Sequence, residues 1–372
     1  RDALELVKDL GLGPKLHAHT TNTGLYYANS IFRLASPWDL LKFKPISLIS
    51  RIRTGLMALA VRRIDDYREL ESMSAEEWIV KNGGREAFDV IWKPLLDGKF
   101  GPEAKNVSAV WFWNKLKLRG SSRGGDGKEQ LYYLEGGFKT LIDTLAAELR
   151  SLGAVIHLDT QVTKIAPSSN GQIELTSTLG DADYNSVLVT TPIRTFLDIT
   201  RALPDTYRAR LEQIRYLGNV CLVLGLNRSL SSTYWLNVAD PNFPFVGVIE
   251  HTNFERSEHY NGLHVVYLSK YLPTSDKLYG LTTEEMVEYS LPHLQRMFPA
   301  FSRDWIVSAY AWREPYSQPV IVQNYSKLIP LIQTPVQNLF LSTMAQVYPE
   351  DRGTTYAIRG GKLAAREILQ VG

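Results

Sequence analysis

The alternation of apolar and polar positions along the chain predicts a protein that mixes helices and strands. Residues 338–342 form an apolar run of strand length, and residues 349–353 have the composition of a tight turn. The next segment repeats its small and apolar residues every three to four positions, which predicts a closing helix with Gly361 and Ala364 on its packed stripe. This strand, turn and helix form either the floor of a ligand site or a packing unit that serves stability alone.

A second α/β pattern lies between residues 131 and 202. A helix with Leu141, Ile142 and Leu149 on its apolar side is followed by predicted strands at residues 154–158, 161–165, 172–176 and 186–192. A helix, a strand, a β-hairpin and a returning strand in this order are typical of half of a nucleotide-binding α/β domain.

The segment between residues 203 and 334 is predicted to be a mixed sheet with one long helix. Strands are expected at residues 220–226, 245–250, 264–268 and 307–312, and a turn at residues 313–319. Thr282 and Glu285 have the spacing of a capping box that begins the helix. Glu250 and His251 are candidates for an acid and a base by residue type alone.

The first 130 residues read as mainly helical and rich in aromatic side chains. Two extended segments, residues 16–20 and 26–34, come first, and a second capping box begins at Ser74. Trp92 and the run 111–113 belong either to a core, which is the expected arrangement, or to the wall of an apolar substrate chamber. Residues 120–127, rich in glycine and serine, are predicted to be a loop.

A basic amphipathic helix is predicted within residues 47–64. Leu48, Ile52, Leu56 and Leu59 share one side of it, and four arginines occupy the rest. Such a helix lies either on a membrane surface or half buried in its own protein, and the second arrangement is expected here.

Composition narrows the class of protein. The 372 residues are 44% hydrophobic, enough for a large core and about two domains. A net charge of +2 without a long basic block argues against a nucleic-acid-binding protein. The single cysteine, Cys221, is typical of a reducing compartment, so we expect a cytoplasmic protein, membrane-peripheral if the basic helix docks on lipid. His17 and His19 have no third ligand nearby, so no metal site is expected.

Three stretches carry a resemblance to a known superfamily. Residues 132–165 (beginning YYLEGGF), residues 186–192 (SVLVTTP) and residues 338–369 (beginning NLFLSTM) match it in order and spacing. They resemble the flavin-containing amine oxidase, protoporphyrinogen oxidase and phytoene desaturase superfamily. The resemblance implies an α/β fold in which an incomplete Rossmann-type FAD-binding domain accompanies a substrate domain built from a mixed sheet and helices.

The resemblance also implies the positions of the FAD contacts. It places the backbone of Val162 near the adenine, Thr190 and Thr191 near the ADP moiety, and Gly353, Thr354 and Thr355 at the pyrimidine edge of the flavin. Relatives bring the turn at residues 313–319 near the flavin face, so Tyr316 and Gln318 become candidate substrate-side residues. The implied domain segments are a helical, aromatic cap and substrate-domain segment at 1–130, FAD-binding segments at 131–202 and 335–372, and a substrate domain at 203–334.

Two departures from the pattern of these relatives concern the cofactor. Relatives usually have Ala-Gly-Asp where this chain has Ser342, Thr343 and Met344, so the implied carboxylate contact to FAD is missing and Thr343 and Met344 take its place. The phosphate-binding pattern G-x-G-x-x-G does not occur in the chain. We therefore expect a version of the family shortened at its N-terminus.

The function implied by the resemblance is that of an FAD-dependent oxidoreductase. It would transfer a hydride from a small apolar or amine-bearing substrate to flavin. Separately, the basic helix leaves peripheral membrane association open. Two alternatives stay open. One is a cofactor-free remnant of the flavin fold that acts as an interaction or lipid-binding scaffold, and the other is a redox-neutral flavoenzyme such as an isomerase.

Overall fold

A computed structural model describes residues 2–33, 37–121, 130–240 and 243–371. The helices are α1 Asp2–Asp9, α2 Pro37–Lys42, α3 Leu48–Ala60, α4 Ala75–Gly83, α5 Arg85–Ala87, α6 Lys93–Phe100, α7 Ala109–Ser121, α8 Phe138–Ser151, α9 Ile193–Ile199, α10 Asp205–Glu212, α11 Lys277–Gly280, α12 Thr283–Met297 and α13 Thr354–Val371. The strands are β1 Leu16–Thr20, β2 Thr23–Tyr27, β3 Ser30–Arg33, β4 Gln130–Leu134, β5 Val162–Pro167, β6 Ile173–Ser177, β7 Gly180–Tyr184, β8 Val187–Val189, β9 Tyr216–Leu226, β10 Trp235–Val238, β11 Gly247–Glu250, β12 His264–Leu272, β13 Ile306–Pro319 and β14 Leu339–Leu341.

The chain divides into two compact units. Unit 1 joins residues 1–17, 132–215 and 325–372, and unit 2 joins residues 18–131 and 216–324. The domain limits predicted from the sequence, after residues 130, 202 and 334, stay predictions. No helix among the described residues is both long enough and apolar enough to span a bilayer.

Unit 2 is built on a seven-stranded mixed sheet in the order β13-β9-β12-β11-β10-β2-β3. Its strands pair antiparallel except β10 and β2, which run parallel with Leu236 opposite Gly24. Val220, Leu222 and Leu224 alternate inward along β9 and are buried, as the period of a strand requires. They pack in one core with Met286 of α12. The predicted mixed sheet is confirmed.

Helix beginnings in unit 2 follow the sequence signals. Ser74 accepts a hydrogen bond from Glu77 N, and the Glu77 carboxylate accepts one from Ser74 N in return. Thr282 and Glu285 make the same reciprocal pair at the start of α12. Both predicted capping boxes are confirmed, because each pair satisfies two N–H groups that a helix leaves without an internal partner.

Unit 1 contains a parallel pair of strands, β14 and β8, and a three-stranded antiparallel sheet in the order β5-β6-β7. All three residues of β14 are buried. Leu12, Leu134 and Leu141 form a separate small core with the apolar face of α1. Helix α13 is held to α1 by Arg359, whose Nη2 lies 3.1 Å from the Asp2 carboxylate. Parallel strands beside helices are consistent with a Rossmann-type unit.

The structure corrects several predicted elements. Residues 154–158 do not form a strand; Val155 and Leu158 are exposed, and a strand forms only where another strand pairs with it. Residues 313–319 continue β13 instead of forming a turn, with a register shift between Glu314 and Gln318. Helix α7 extends to Ser121, and residues 122–127 of the predicted loop lie outside the described residues.

Two helices face differently from the prediction. In α13, Ala364 is buried as expected, but Gly361 is exposed and Gly360 lies against Ser342 instead. In α3, the prediction that the leucine and isoleucine side is half buried is wrong. Leu56 and its neighbours on that side are exposed, while the opposite side packs inward around Met57.

Burial controls the chemistry of the single cysteine. Cys221 lies in the middle of β9, opposite Trp312 on one side and Ser269 on the other. Burial raises the pKa of its thiol to about 11, because the thiolate loses its hydration. We expect alkylation by iodoacetamide at pH 8 to be slow in the native protein and fast in urea, as followed by intact mass. Fast labelling without denaturant would contradict this account of the Cys221 environment.

Candidate functional site

The end of β8 and the end of β14 lie at the same edge in unit 1. The two strands are parallel, with Val189 opposite Leu341, and Ser342 N donates to Val189 O at 3.0 Å. Thr191 and Thr343 therefore leave the sheet side by side, although they are far apart in the sequence. The carboxyl edge of parallel strands is where α/β folds bind ligands.

Thr191 has a feature that folding alone does not explain. Its hydroxyl oxygen is buried and has no hydrogen-bond partner among the described residues. A buried hydroxyl without a partner lowers stability, and Thr191 shares this feature with Thr200; what distinguishes Thr191 is its place at the carboxyl edge of the parallel strands. Thr190, beside it, is exposed.

Thr343 and Met344 begin a short turn at this edge. Thr343 is buried, and its hydroxyl accepts a hydrogen bond from Ala345 N, while Gln346 closes the turn by accepting from Thr343 N at 2.7 Å. Both residues line a cavity of about 350 Å³ within unit 1, together with Tyr356, Arg359 and Gly360. The structure thus brings Thr343 and Met344 to the same cavity as α13.

The start of α13 faces the solvent side of this region. Gly353 and Thr354 are exposed, and Thr355 is half-buried. The first N–H groups of a helix have no partner inside the helix, so those of Thr354 and Thr355 are available to an anion or a polar ring edge. A side chain at Gly360 would come within 3.1 Å of Ser342 Oγ, which explains why α13 lies so close to the end of β14.

Val162 lies apart from these residues. It begins β5 in the antiparallel sheet and pairs with Ser177. It does not line the unit 1 cavity, and neither do Thr190, Thr191, Gly353, Thr354 and Thr355. The cofactor residues inferred from the sequence all belong to unit 1.

Tyr316 and Gln318 belong to unit 2, at the end of β13. The Tyr316 ring packs edge to face on Tyr216 with 5.6 Å between ring centres. Gln318 is buried, and its amide donates to Pro319 O at 2.8 Å. Both side chains therefore have packing roles, and their assignment to the substrate side stays a prediction.

Glu250 and His251 have structural partners of their own. The buried Glu250 carboxylate accepts hydrogen bonds from Ser229 Oγ, Leu230 N and Ser231 N at 2.6 to 3.0 Å. The nitrogen Nε2 of His251 lies 2.7 Å from the Tyr260 hydroxyl. Burial lowers the pKa of His251, because the charged ring would lose hydration. Glu250 thus closes the turn at residues 229–231.

Unit 2 contains a second cavity, of about 310 Å³, whose walls are mainly apolar and include five aromatic side chains. Trp92 lines it from the end of a π-helical turn, Phe88–Trp92, and Trp111 and Phe112 line it from α7. The sheet contributes Trp235, Asn237, Ile249, Ser269 and Tyr271. A side chain on Gly98 would come within 2.3 Å of Val246 Cγ1, so glycine is what allows α6 to lie against the sheet.

The charged side chains that line this cavity are all basic. Lys99 Nζ lies 5.0 Å from the centre of the Trp111 ring and 5.7 Å from that of Tyr271. Lys115 Nζ lies 5.6 Å from the centre of the Trp111 ring. No carboxylate of the described residues lines the cavity. Its walls therefore combine apolar rings with positive charge. Among the described residues, moreover, no three His, Cys, Asp or Glu side chains are grouped as metal ligands would be.

A family model supplies the identification. The model described as flavin containing amine oxidoreductase matches residues 1–369. The chain belongs to this family. The resemblance stated from the sequence is confirmed, and so is the α/β fold class.

Several known proteins are similar to this chain. The chain is 22% identical to coproporphyrinogen III oxidase of Staphylococcus aureus (strain NCTC 8325 / PS 47) over 225 residues, or 52% of this chain and 48% of that protein. The matched region thus spans about half the length of that curated relative. A putative protoporphyrinogen oxidase from Exiguobacterium sp. 255-15 superposes with a TM-score of 0.75 at 14% identity, covering 98% of this chain and 84% of that one.

Two further solved structures share the fold. Reduced UDP-galactopyranose mutase superposes with a TM-score of 0.72 at 12% identity, over 96% of this chain and 80% of that one. A triple mutant of putrescine oxidase superposes with a TM-score of 0.69 at 14% identity, covering 99% of this chain and 85% of that one. At such low sequence identities the similarity establishes the fold but does not identify the substrate.

Members of this flavin amine oxidoreductase family normally bind FAD, and the residues of unit 1 fit such a ligand in two respects. The orphaned Thr191 hydroxyl lies at the strand edge where a ligand partner is expected. The backbone around Gly353 is open, since a side chain there would meet only the Tyr356 ring at 3.7 Å. Met344 offers a thioether where a carboxylate contact would lie in relatives.

Sequence reasoning missed the sheet side of the unit 2 cavity. Trp92, Trp111 and Phe112 were identified as candidate chamber walls, but Trp235 and Tyr271 come from strands whose pairing is not visible in local patterns. The one usable signal was Gly98, a glycine inside a helical segment, which often marks a close approach of the backbone.

We predict that Glu250 stabilises the fold and takes no part in chemistry. Glu250→Gln places an amide NH2 against donors and should lower the free energy of unfolding by about 2 kcal/mol, since a buried group loses its partners. Urea denaturation measures the change. Glu258→Gln, on an exposed side chain nearby, is the matched control and should stay within about 0.5 kcal/mol of the parent. An unchanged stability for Glu250→Gln would contradict the assignment.

Proposed function

We propose that this chain is an FAD-dependent oxidoreductase that oxidises an apolar substrate. The proposal is carried by two features within separate units: the orphaned Thr191 hydroxyl at the strand edge of unit 1, and the aromatic cavity of unit 2. The first offers a buried polar group that a ligand could satisfy, and the second offers space for an apolar compound. When bound, FAD supplies the acceptor for two electrons.

Unit 1 would hold the cofactor through its own polar groups. Thr191 would donate its hydroxyl hydrogen to the ADP part, next to Thr190, and the N–H groups of Thr354 and Thr355 would face the flavin ring edge. Negative charge at that edge is favoured by the positive end of α13, which is 18 residues long. Preorganised N–H dipoles of this kind contribute to flavin chemistry without a titrating side chain.

Unit 2 would select the substrate by charge. The sequence left apolar and amine-bearing substrates open, and the cavity favours the first, because a cationic amine would lie against Lys99 and Lys115 in a site without a carboxylate. Putrescine oxidase, a structural neighbour, is named for a diamine, and the two porphyrinogen oxidases are named for large ring compounds. A neutral or anionic apolar compound matches the walls of this cavity.

The cofactor claim is tested by adding FAD to the purified chain and recording its absorbance after gel filtration. We expect Thr191→Val to raise the Kd for FAD about tenfold, because it removes one hydrogen bond, while the stability of the cofactor-free protein stays unchanged or rises. Thr200→Val is the matched control, since Thr200 also has a buried hydroxyl without a partner among the described residues, on α9's far end.

The result separates the alternatives. A chain that takes up no FAD would favour the cofactor-free scaffold and overturn the proposal. Flavin that is required for turnover although no oxidised product forms would indicate a redox-neutral enzyme. An equal loss of affinity in Thr191→Val and Thr200→Val would remove the specific role of Thr191.

The charge preference of the unit 2 cavity is tested with matched probes. We expect 2-naphthoate to quench tryptophan emission at a concentration about tenfold lower than 2-naphthylmethylamine, the difference expected from one charge-assisted hydrogen bond. Lys99→Met with Lys115→Met should abolish this preference. Lys105→Met, an exposed lysine outside the cavity, should retain it. Equal binding of the two probes to the parent protein would contradict an anion-selective cavity.

A further inference from the structure

Helix α3 faces the opposite way from an ordinary surface helix. Its inner side presents Ser50, Thr54 and Met57, all buried. Its outer side presents leucine and isoleucine. The relative exposures are 58% for Leu48, 72% for Ile49, 49% for Ile52, 60% for Leu56 and 57% for Leu59. In water, a helix gains stability by burying such a stripe.

Specific polar contacts hold α3 in this orientation. The Glu86 carboxylate accepts hydrogen bonds from the hydroxyls of Ser47 and Ser50, each at 2.5 Å, and from Ser47 N at 2.9 Å. The Thr54 hydroxyl donates to Ser50 O at 2.7 Å. A rotation that buried the leucines would break these contacts. The outward apolar stripe is therefore a built feature of unit 2.

The preceding helix also exposes a large apolar side chain. In α2, Trp38 is 73% exposed, whereas Leu40 is packed against the small core that contains Phe43 and Ile46. We call Trp38, Leu48, Ile49, Ile52, Leu56 and Leu59 the α2–α3 apolar face. Tryptophan is enriched at membrane interfaces, where its ring is apolar and its N–H stays hydrated.

The charges that flank this face are mainly basic, although Asp39 lies in α2 and Asp65 and Asp66 follow Ile64. Between Leu40 and Ile64 the sequence has six basic residues and no acidic one, although the whole chain carries a net charge of only +2. Lys42 and Lys44 lie before α3 and Arg62 and Arg63 follow it, all exposed. An exposed apolar stripe flanked by cations is the signature of a helix that lies in the plane of an anionic membrane.

We propose that the α2–α3 apolar face docks this protein on an anionic lipid bilayer. The 13 residues of α3 extend over about 20 Å, less than a bilayer core, so the helix would lie flat, with its apolar side chains among the acyl chains and its cations at the phosphates. A second copy of this chain is a poorer occupant. Both ends of α3 are basic, so pairing in either direction would bring like charges together.

The proposal does not depend on flavin binding. Its test measures binding of the chain to vesicles of phosphatidylcholine with and without phosphatidylglycerol. In flotation, we expect the parent chain to bind the anionic vesicles more tightly, with affinity falling as salt rises. Ile52→Asp combined with Leu56→Asp should weaken binding at least about tenfold, because two carboxylates would enter the lipid interface. Leu369→Asp, an equally exposed leucine of α13, should bind as the parent does.

The remaining outcomes decide against the proposal. Failure of the parent chain to bind anionic vesicles, or unchanged binding by the Ile52→Asp, Leu56→Asp variant, would overturn it. A parent dimer that this variant converts to a monomer would reassign the face to self-association.

A second measurement needs no charged substitution. Brominated lipids should quench part of the tryptophan emission of the parent chain, and Trp38→Phe should remove that part while binding persists. If brominated lipids left the tryptophan emission of the parent chain unchanged, the α2–α3 apolar face would not enter the bilayer.

Discussion

The candidate flavin site depends on the parallel pairing of two very short strands, β8 and β14. Hydrogen bonds at both ends, from Val187 N to Asn338 O and from Ser342 N to Val189 O, fix the register. All three residues of β14 are buried, so the strand is packed on both faces as well as paired along its edge. Because both strands end at the same edge, this pairing alone brings Thr191 and Thr343 together. The close approach of α13, which Gly360 permits, completes the region.

The cavity of unit 2 depends on another close approach. Gly98 lets α6 lie against the sheet, and the π-helical turn before α6 carries Trp92 into the wall. A π-helical turn adds a residue to the helical repeat, and such turns are frequent at functional sites. The aromatic residues before position 120 thus include core residues, as expected, and three that line this cavity. Whether the cavity is a substrate chamber stays a prediction.

Local signals predicted local features well. The two capping boxes, the mixed sheet and the family were all readable from the sequence, because caps and strand periodicity depend on residues close together in the chain. Strand pairing and register were harder to predict from the sequence. Whether residues 154–158 form a strand depends on a neighbouring strand, and the shift in β13 depends on its pairing with Asn219 and Leu217 of β9. Such partners are distant in sequence and leave no local trace.

The orientation of α3 shows the same limit and bears on both of the surfaces proposed for unit 2. Periodicity identified its apolar side, but the outward direction is set by Glu86, which lies 36 positions after Ser50. Phe43 and Ile46, which lie between α2 and α3 in the sequence, belong to a small core. Trp92 and Leu95 pack against this core and also line the unit 2 cavity. The surface that would meet lipid and the cavity that would bind an apolar substrate therefore share one set of packed side chains. An apolar compound partitions into a bilayer, so a protein docked on one would meet an apolar substrate there.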